Sequence, residues 1–193
     1  MLTDIILEWD KSLFSLINGQ WHNNIFDLIM PYIRDKKTWI PLYLLLLFFI
    51  GKKRGIKTVW VLIIITITII ISDQISSELV KKSICRIRPC NDTTLNNVRL
   101  LLENCGGGFS FTSSHATNHF SFAMQLYLIF RCSWNRIYFL LLFIWACLIA
   151  YGQIYVGVHF PLDVIGGAFL GCFLAFIVNR ICSWLGLVKR IWT

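Results

Sequence analysis

Three short polar segments carry the residues of this sequence whose types and spacing could do chemistry. The segment YVGVHFPLD, at residues 155–163, holds His159 and Asp163 four positions apart, with Pro161 between them. Proline suits the first turn of a helix, which places the Asp163 carboxylate about one turn from His159. A carboxylate at that spacing can accept the imidazole N–H and leave the second ring nitrogen free to attack. Asp163 could instead serve only the helix dipole.

The second segment, GGGFSFTSSH at residues 106–115, is a glycine-rich stretch that leads into a helix. Free backbone N–H groups at a helix start favour an anion. The hydroxyls of Ser113 and Ser114 can donate to such an anion or cap the helix. His115 falls in the first turn and faces whatever that helix end binds. Its imidazole can serve as a general acid or make a structural hydrogen bond.

The third segment, KKSICRIRPC at residues 81–90, supplies cations. If it continues a helix, Lys81 and Arg88 share one face, and Pro89 ends the helix. A guanidinium fork matches phosphate oxygens and an ammonium adds a point charge, so the pair could close on one anion. The alternative is that both side chains reach towards anionic lipid headgroups.

The two histidines form a workable pair for phosphoryl transfer, with His159 as the nucleophile and His115 as the acid for the leaving group. His119 follows His115 by one helical turn and raises the possibility of a zinc pair. No Glu or Cys completes a recognisable metal constellation. We therefore predict no metal and no cofactor.

The elements that must position these residues are apolar. Of 193 residues, 56% are hydrophobic and 15% are charged, whereas a soluble domain carries roughly a quarter charged residues. Apolar runs that indicate membrane helices occupy residues 38–51, 58–72, 109–130, 137–158 and 164–179. The sequence therefore predicts an all-α fold, a polytopic membrane helical bundle with roughly five to six transmembrane helices.

Basic residues give the orientation. The loop GKKRGIK at residues 51–57 has four cations and no acid, which places it in the cytoplasm. Counting helices from this loop puts all three polar segments on the outer side of the membrane. The outer loop at residues 80–112 breaks the positive-inside rule, because it also carries cations. Cations on that side favour a functional explanation, so we predict an active site at the extracytoplasmic face.

Residues 1–37 form a predicted pair of amphipathic segments, broken at Asn18-Gly19 and lying on or partly in the bilayer. We expect an N-terminal membrane-associated segment there. The transmembrane domain follows at residues 38–193, with a motif-bearing core at residues 57–185.

The order of the three segments resembles the type-2 phosphatidic acid phosphatase superfamily, relatives of the vanadium haloperoxidases. Its first motif, Lys-x6-Arg-Pro, matches at Lys81 and Arg88, and TSSH at residues 112–115 is similar to its Pro-Ser-Gly-His motif. Its third motif, which ends in His-x3-Asp, matches at His159 and Asp163. The resemblance implies a metal-independent phosphatase with a phosphohistidine intermediate on His159. The site residues that it implies are Lys81, Arg88 and Ser113 for phosphate, His115 as general acid and Asp163 as the group that orients His159.

The chain departs from this family at the third motif, where the family's Ser-Arg falls on Gly152 and Gln153. Gln153 can donate hydrogen bonds to phosphate but brings no charge. One cation of the phosphate site is therefore missing, and we expect Arg86 or Lys82 to compensate. A non-catalytic relative is the alternative.

We therefore predict a lipid phosphate or diphosphate phosphatase, an integral protein of a bacterial inner membrane that acts at the outer leaflet. The site would face the periplasm or the exterior. The expected partners are the phosphorylated lipid substrate and membrane lipids, and no nucleic acid. Undecaprenyl diphosphate, lipid A phosphate, phosphatidylglycerophosphate and phosphatidate are the candidate substrates. The alternative function is binding or transport of a lipid phosphate without cleavage.

Three of the seven cysteines, Cys85, Cys90 and Cys105, fall in the outer segment, where an oxidising compartment permits disulfides. Cys85 lies within the predicted helix, which leaves the other two. We predict a Cys90–Cys105 disulfide that joins the cation segment to the segment of His115. Three free thiols are the alternative.

Overall fold

The structure, a computed structural model, describes residues 2–193, and within that range it consists of helices and their connections. The α-helices are α1 Leu2–Ser15, α2 Asn24–Ile33, α3 Ile40–Arg54, α4 Thr58–Gln74, α5 Lys81–Ile84, α6 Ser114–Phe130, α7 Arg136–Tyr155, α8 Pro161–Trp184 and α9 Lys189–Trp192. A π-helical turn, Ile75–Val80, joins α4 to α5 without a break. The predicted all-α fold is confirmed.

Within residues 2–193, three segments are long and apolar enough to span a membrane. They are Lys36–Asn91, which contains α3 and α4, then Arg136–Tyr155 and Pro161–Trp184. Large apolar side chains on these segments are exposed, among them Phe48 and Phe169. Exposed apolar surface of this kind marks contact with lipid. The prediction of a membrane helical bundle is confirmed. The number of roughly five to six transmembrane helices stays a prediction, since α6, in the run predicted at residues 109–130, is not among these segments.

Close packing of α6 against α8 positions the polar segments. A Cβ atom at Gly171 would lie 2.2 Å from the Thr117 carbonyl oxygen, and one at Gly167 would lie 2.7 Å from the Ser113 carbonyl oxygen. Small residues four positions apart let membrane helices approach in this way. The starts of α6 and α8 consequently meet, and the Ser113 N–H donates to the Asp163 carbonyl oxygen at 2.9 Å.

Two hydrophobic clusters fill the bundle. One contains Val61 and Phe130 and lies near the basic loop between α3 and α4. The other contains Phe14, Met30 and Phe160, and joins the N-terminal helices to the connection between α7 and α8. This second cluster supports the polar segments, because Phe160 directly follows the histidine of the third motif.

The N-terminal helices pack against the bundle, and the break between them is not where the sequence predicts it. A π-helical turn, Leu16–Gln20, carries the helix past Asn18, and the interruption follows at residues 21–23. The buried Asn18 amide donates to the carbonyl oxygens of Arg99 and Tyr155 at 2.8 Å each. These tertiary hydrogen bonds hold Asn18 in the protein interior, so it does not form a surface turn.

Candidate active site

His159 lies in the short connection between α7 and α8. Helix α7 ends at Tyr155, and α8 begins at Pro161, whose fixed φ suits a first helical position. The imidazole is buried, with 2% of the residue exposed. The backbone N–H of His159 donates to the Gln153 carbonyl oxygen at 3.3 Å. A backbone hydrogen bond and the burial of the side chain therefore both fix the position of His159.

Asp163 lies in the first turn of α8, where its Oδ2 accepts the Phe160 N–H at 2.8 Å. The distance from Asp163 Oδ2 to His159 Nδ1 is 3.6 Å, slightly too long for a hydrogen bond. Ser110 fills the gap, since its hydroxyl donates to Asp163 Oδ2 at 2.5 Å and lies 3.3 Å from His159 Nδ1. His159 Nδ1 therefore faces Ser110 and Asp163, and Nε2 has no hydrogen-bond partner among residues 2–193.

The surroundings of His159 favour its neutral form. Burial lowers the pKa of the imidazole to about 4, while Asp163 opposes the shift and the cations Arg88 and Lys81 reinforce it. A neutral imidazole keeps the lone pair that nucleophilic attack requires. The two cations predicted to bind phosphate thus act on the same imidazole.

Arg86 connects Asp163 to the N-terminal helix α1. Its Nη1 donates to Asp163 Oδ1 at 2.7 Å, and its Nη2 donates to Asp10 Oδ2 at 2.5 Å. The guanidinium also lies 4.1 Å from the centre of the Phe160 ring. Asp10 in turn accepts the Leu162 N–H at 2.8 Å, at the start of α8. Two buried carboxylates already pair with Arg86, so the structure does not favour the expectation that it replaces the missing phosphate cation.

The helix predicted to run from Lys81 to Arg88 ends early, at Ile84. Cys85 takes a left-handed conformation with a φ of 53°, which stops the helix. Arg88 is extended because the following Pro89 disfavours a helical conformation at the residue before it. Lys81 and Arg88 therefore reach the site from a helix end and from a loop, and they do not share a helix face.

The glycine-rich segment fixes the guanidinium of Arg88. Its Nη2 donates to the Gly107 carbonyl oxygen at 3.0 Å, and its Nε donates to the Gly108 carbonyl oxygen at 3.2 Å. A longer contact, 3.5 Å, joins Nη1 to the Val158 carbonyl oxygen. Arg88 is thus anchored beside the third motif by backbone groups, and no carboxylate neutralises it through an ion pair among residues 2–193.

The start of α6 is fixed by hydroxyl groups. Ser113 is the N-cap, and its Oγ accepts the Ala116 N–H at 3.4 Å. The Ser114 hydroxyl lies 3.2 Å from the Ser76 hydroxyl and 3.0 Å from the Ser77 hydroxyl. The capping role of Ser113 is therefore present in the structure. Ser114 joins the start of α6 to the π-helical turn that follows α4.

His115 lies in the first turn of α6, as predicted, and its ring stacks on that of His119, with ring centroids 6.4 Å apart. His119 Nδ1 lies 2.7 Å from the His115 carbonyl oxygen, and His119 Nε2 lies 3.2 Å from the Tyr43 hydroxyl. Protein groups occupy both ring nitrogens of His119, which favours a structural role over a zinc pair. The described residues, 2–193, contain no group of three or more potential metal ligands.

A cavity of about 710 Å³ opens beside His115 between α3, α4 and α6. Its apolar wall includes Ile65, Ile69 and Phe122, and Lys36 adds a cation. A long apolar wall that ends at a histidine suits a ligand with a hydrocarbon chain and a charged headgroup.

Cys90 and Cys105 form a disulfide, with their Cα atoms 5.9 Å apart. Cys90 follows Arg88 closely, and Cys105 precedes the glycines that bind the Arg88 guanidinium. The disulfide therefore links the two segments that hold this cation. Cys85 is exposed and carries a free thiol.

Sequence reasoning missed Ser110 and Asp10 as members of the site. Ser110 lies in the same glycine-rich segment as the N-cap serines, and a hydroxyl among several gives no signal of its own. Asp10 lies in an amphipathic segment with other acidic residues, and only the folded chain brings it to Arg86.

The fold and the site define a helical membrane protein with a buried His-Asp pair, a second histidine at a helix start and an anchored arginine. The family model described as PAP2 superfamily matches residues 57–186, and the chain belongs to this family. The predictions of this family and of a hydrolase are confirmed.

Two curated relatives and one solved structure resemble the chain over most of its length. The lipid A 4'-phosphatase of Bacteroides thetaiotaomicron is 30% identical over 175 residues, which cover 89% of this chain and 76% of the relative. The undecaprenyl-diphosphatase of Sulfolobus acidocaldarius is 35% identical over 189 residues, 95% of this chain and 82% of the relative. The first transmembrane PAP2 type phosphatidylglycerolphosphate phosphatase from Bacillus subtilis superposes with a TM-score of 0.66 at 20% identity, over 94% of this chain and 88% of that one. This last similarity supports the fold.

Proposed function

We propose that this protein hydrolyses a lipid phosphate or diphosphate without a metal, through a covalent phosphohistidine on His159. The observation that supports this best is the buried, neutral imidazole, whose Nδ1 faces Ser110 and Asp163 while Nε2 is left for attack. Lys81 and Arg88 act on the same imidazole. Fixed cations at that position stabilise the charge of a phosphoryl group in the transition state.

In the first step, His159 Nε2 attacks phosphorus, a P–N bond forms, and the P–O bond to the leaving group breaks. His115 gives a proton to the departing oxygen as general acid. The bound phosphate favours the protonated form of His115, because a nearby opposite charge stabilises it. Asp163 stabilises the positive charge that develops on His159.

In the second step, water attacks phosphorus, the P–N bond breaks, and His159 regains its lone pair. His115, now neutral, takes the proton from the attacking water. We assign the binding of phosphate oxygens in both steps to the backbone N–H groups at the start of α6 and the hydroxyls of Ser113 and Ser114. The products are inorganic phosphate and the dephosphorylated lipid, which keeps one phosphate if the substrate is a diphosphate.

The cavity beside His115 supports a substrate with an apolar anchor, since isoleucine side chains line it. The names of the two relatives make lipid A phosphate and undecaprenyl diphosphate the first candidates, followed by phosphatidylglycerophosphate and phosphatidate. The basic loop at residues 51–57 belongs in the cytoplasm by the positive-inside rule. We therefore propose that the reaction takes place at the outer leaflet of a bacterial inner membrane, facing the periplasm or the exterior.

Phosphate release by the purified protein from these four lipids tests the proposal. We expect release from at least one lipid, expect it to persist in EDTA, and expect His159→Ala to abolish it while the protein still folds. Loss of release in EDTA that zinc restores would contradict the metal-independent reaction and favour a His115/His119 zinc site.

The second candidate function is binding or transport of a lipid phosphate, which Gln153 in place of the family arginine favours. Intact protein that binds these lipids and releases phosphate from none of them would support this second function. Release from any of them would exclude it.

A further inference from the structure

The phosphate site of this chain lacks the charge that its family carries at the position of Gln153, and the neighbours suggested by the sequence do not replace it. Arg86 is held by two buried carboxylates. Lys82 pairs with Glu78 at 2.5 Å, and 64% of its side chain is exposed. A replacement cation must therefore come from another part of the chain.

Arg34 brings a guanidinium to this position from a different helix. It follows Ile33, the last residue of α2, and its Nε donates to Gln153 Oε1 at 3.2 Å. This hydrogen bond uses Nε alone, so Nη1 and Nη2 make no hydrogen bond to the described residues, 2–193. One edge of the guanidinium is anchored, and the other keeps donors that a ligand could use.

Gly152 makes this approach possible. A Cβ atom at Gly152 would lie 3.3 Å from Arg34 Cβ and 3.7 Å from both the Arg34 nitrogen and the Met30 carbonyl oxygen. A serine at this position, as in the family motif, would crowd the end of α2. The two departures from the motif therefore act together, because Gly152 admits Arg34 and Gln153 binds it.

The NH₂ group of the Gln153 amide is not used in the contact with Arg34. Gln153 is fully buried, and its Nε2 has no hydrogen-bond partner among residues 2–193. Because arginine only donates, the amide oxygen must face Arg34, and the NH₂ group must point away from it. A buried donor without a partner is unfavourable, and an anion oxygen beside it would remove that cost.

The charges around Arg34 also favour an anion. Burial lowers the pKa of Arg34, Asp35 raises it, and the neighbouring cation Arg88 lowers it further. Two guanidinium groups in electrostatic range repel each other, and one anion between them stabilises both. The Arg88 group cannot move away easily, since Gly107 and Gly108 hold it.

We infer that Arg34 is the phosphate-binding cation that replaces the family arginine, with Gln153 as its positioning residue and as a second donor to the anion. The inference rests on the proposed phosphatase function and concerns the phosphoryl group that all candidate lipids share. Arg34 and Arg88 bind the oxygens of this group and stabilise their charge in the transition state.

Removing the charge of Arg34 tests the inference. Arg34→Gln should lower kcat/KM by about 100- to 1000-fold, which is the usual effect of removing one group that stabilises transition-state charge. The matched control is Arg136→Gln, which makes the same change at an exposed position. Arg136 is the first residue of α7, whereas Gln153, the partner of Arg34, lies near the last. The control should keep nearly wild-type activity. An Arg34→Gln protein as active as the control would overturn the inference.

Moving the cation back to its family position is a second test. Gln153→Arg should impair the wild type, because two guanidinium groups would then compete for one space. In the Arg34→Ala background the same substitution should restore activity, a change of sign that marks direct coupling. Equal effects of Gln153→Arg in both backgrounds would show that the two positions are independent and would overturn the inference.

Binding of inorganic phosphate, followed by the shift of the thermal unfolding midpoint, separates this inference from the proposed function. If the wild type binds phosphate but cleaves no lipid, the phosphatase function fails, and weaker phosphate binding by Arg34→Gln still supports the role of Arg34. If Arg34→Gln does not fold, Arg34→Lys takes its place in the test. Arg34→Lys keeps the charge without the guanidinium fork and should bind phosphate with intermediate strength. Wild-type phosphate binding in these variants, or no phosphate binding by the wild type, would overturn the inference.

Discussion

His159 combines burial with a fixed orientation, and the two together determine its chemistry. Ser110 and Asp163 face Nδ1, so the lone pair that we propose for attack belongs to Nε2. Burial keeps the ring neutral without requiring a separate base to remove its proton. In the proposed mechanism, His159 is therefore neutral and oriented before the substrate binds.

The low pKa of His159 predicts how it titrates. Its protonation midpoint should lie near pH 4, where an ordinary histidine has a pKa of 6.5. Between these values the unfolded chain binds a proton at this position and the folded chain does not, so the free energy of unfolding should fall as the pH drops from 6.5 towards 4. NMR titration of histidine-labelled protein, assigned with His159→Gln, measures the midpoint. A midpoint at 6.5 or above would contradict the burial described here.

We expect Ser110 to be a positioning residue, because its hydroxyl contacts His159 and Asp163 and would act on the phosphoryl group only through them. Ser110→Ala should lower kcat about 10- to 100-fold with little change in KM, since one hydrogen bond to a charged group is lost. The substitution should also change the pKa of His159, whereas a merely structural effect would leave this pKa unchanged. Ser133→Ala, which removes a hydroxyl bonded to a helix carbonyl, is the control. An unchanged kcat would exclude the role of Ser110.

Residue type and spacing could identify the motif histidines and Asp163 as candidate site residues, because these residues lie within one turn of helix or one short motif. Arg34 could not be found in this way. Its partner Gln153 is 119 positions away in sequence, and one arginine near a helix end resembles any other. Contacts of this kind depend on packing, which local spacing does not encode.

Apolar length could predict most of the long helices, since a membrane helix must bury its backbone polar groups and face lipid along its whole length. Helix ends were harder to predict. The end of α5 depends on the left-handed Cys85, which has no strong sequence signal. A non-glycine residue with a positive φ is uncommon, so the pattern favoured a longer helix.

Helix α1 contributes to the site through Asp10. Asp10→Asn weakens the ion pair with Arg86 and should lower kcat about tenfold, because Arg86 also holds one oxygen of Asp163. Glu8→Gln makes the same change of charge at an exposed position of α1 and should have little effect. Equal activity of the two variants would show that α1 does not support the nucleophile.

The disulfide between Cys90 and Cys105 should be present in membrane-expressed protein. It joins two cysteines that are 15 positions apart, and for a loop near this length the chain-entropy model gives about 3 kcal/mol of stabilisation. Its local effect is to keep Arg88 beside the glycines that bind its guanidinium. Mass spectrometry of non-reduced peptides checks this, with the exposed free thiol of Cys85 as an internal control for alkylation. An alkylated Cys90 in the same sample would rule the disulfide out.

The whole molecule has two chemically different ends. At one end, Arg54 lies 3.7 Å from the centre of the Trp192 ring, and Arg190 lies 4.7 Å from that of Trp60. These cation–aromatic contacts join the basic loop after α3 to the C-terminal helix α9. The polar segments lie at the other end of the same helices, as the alternation of loops in the sequence predicts.

The helices within residues 2–37 contact the candidate site directly. Asp10 comes from α1 and Arg34 from the end of α2, and both contact residues of the third motif or their immediate partners. From the sequence, the amphipathic pattern of residues 1–37 predicts only a membrane-associated segment. A site assembled from both parts of the chain requires the N-terminal helices to be packed in place.

The central claim is that His159 is the nucleophile, and trapping the intermediate tests it most directly. The wild-type protein is mixed with a cleaved lipid phosphate, quenched within the first turnover in alkaline denaturant, digested and analysed by mass spectrometry. We predict a phosphoryl group on His159 that disappears as turnover is completed and never forms in His159→Ala. A phosphoryl group on another residue, or turnover by His159→Ala at the wild-type rate, would contradict the mechanism.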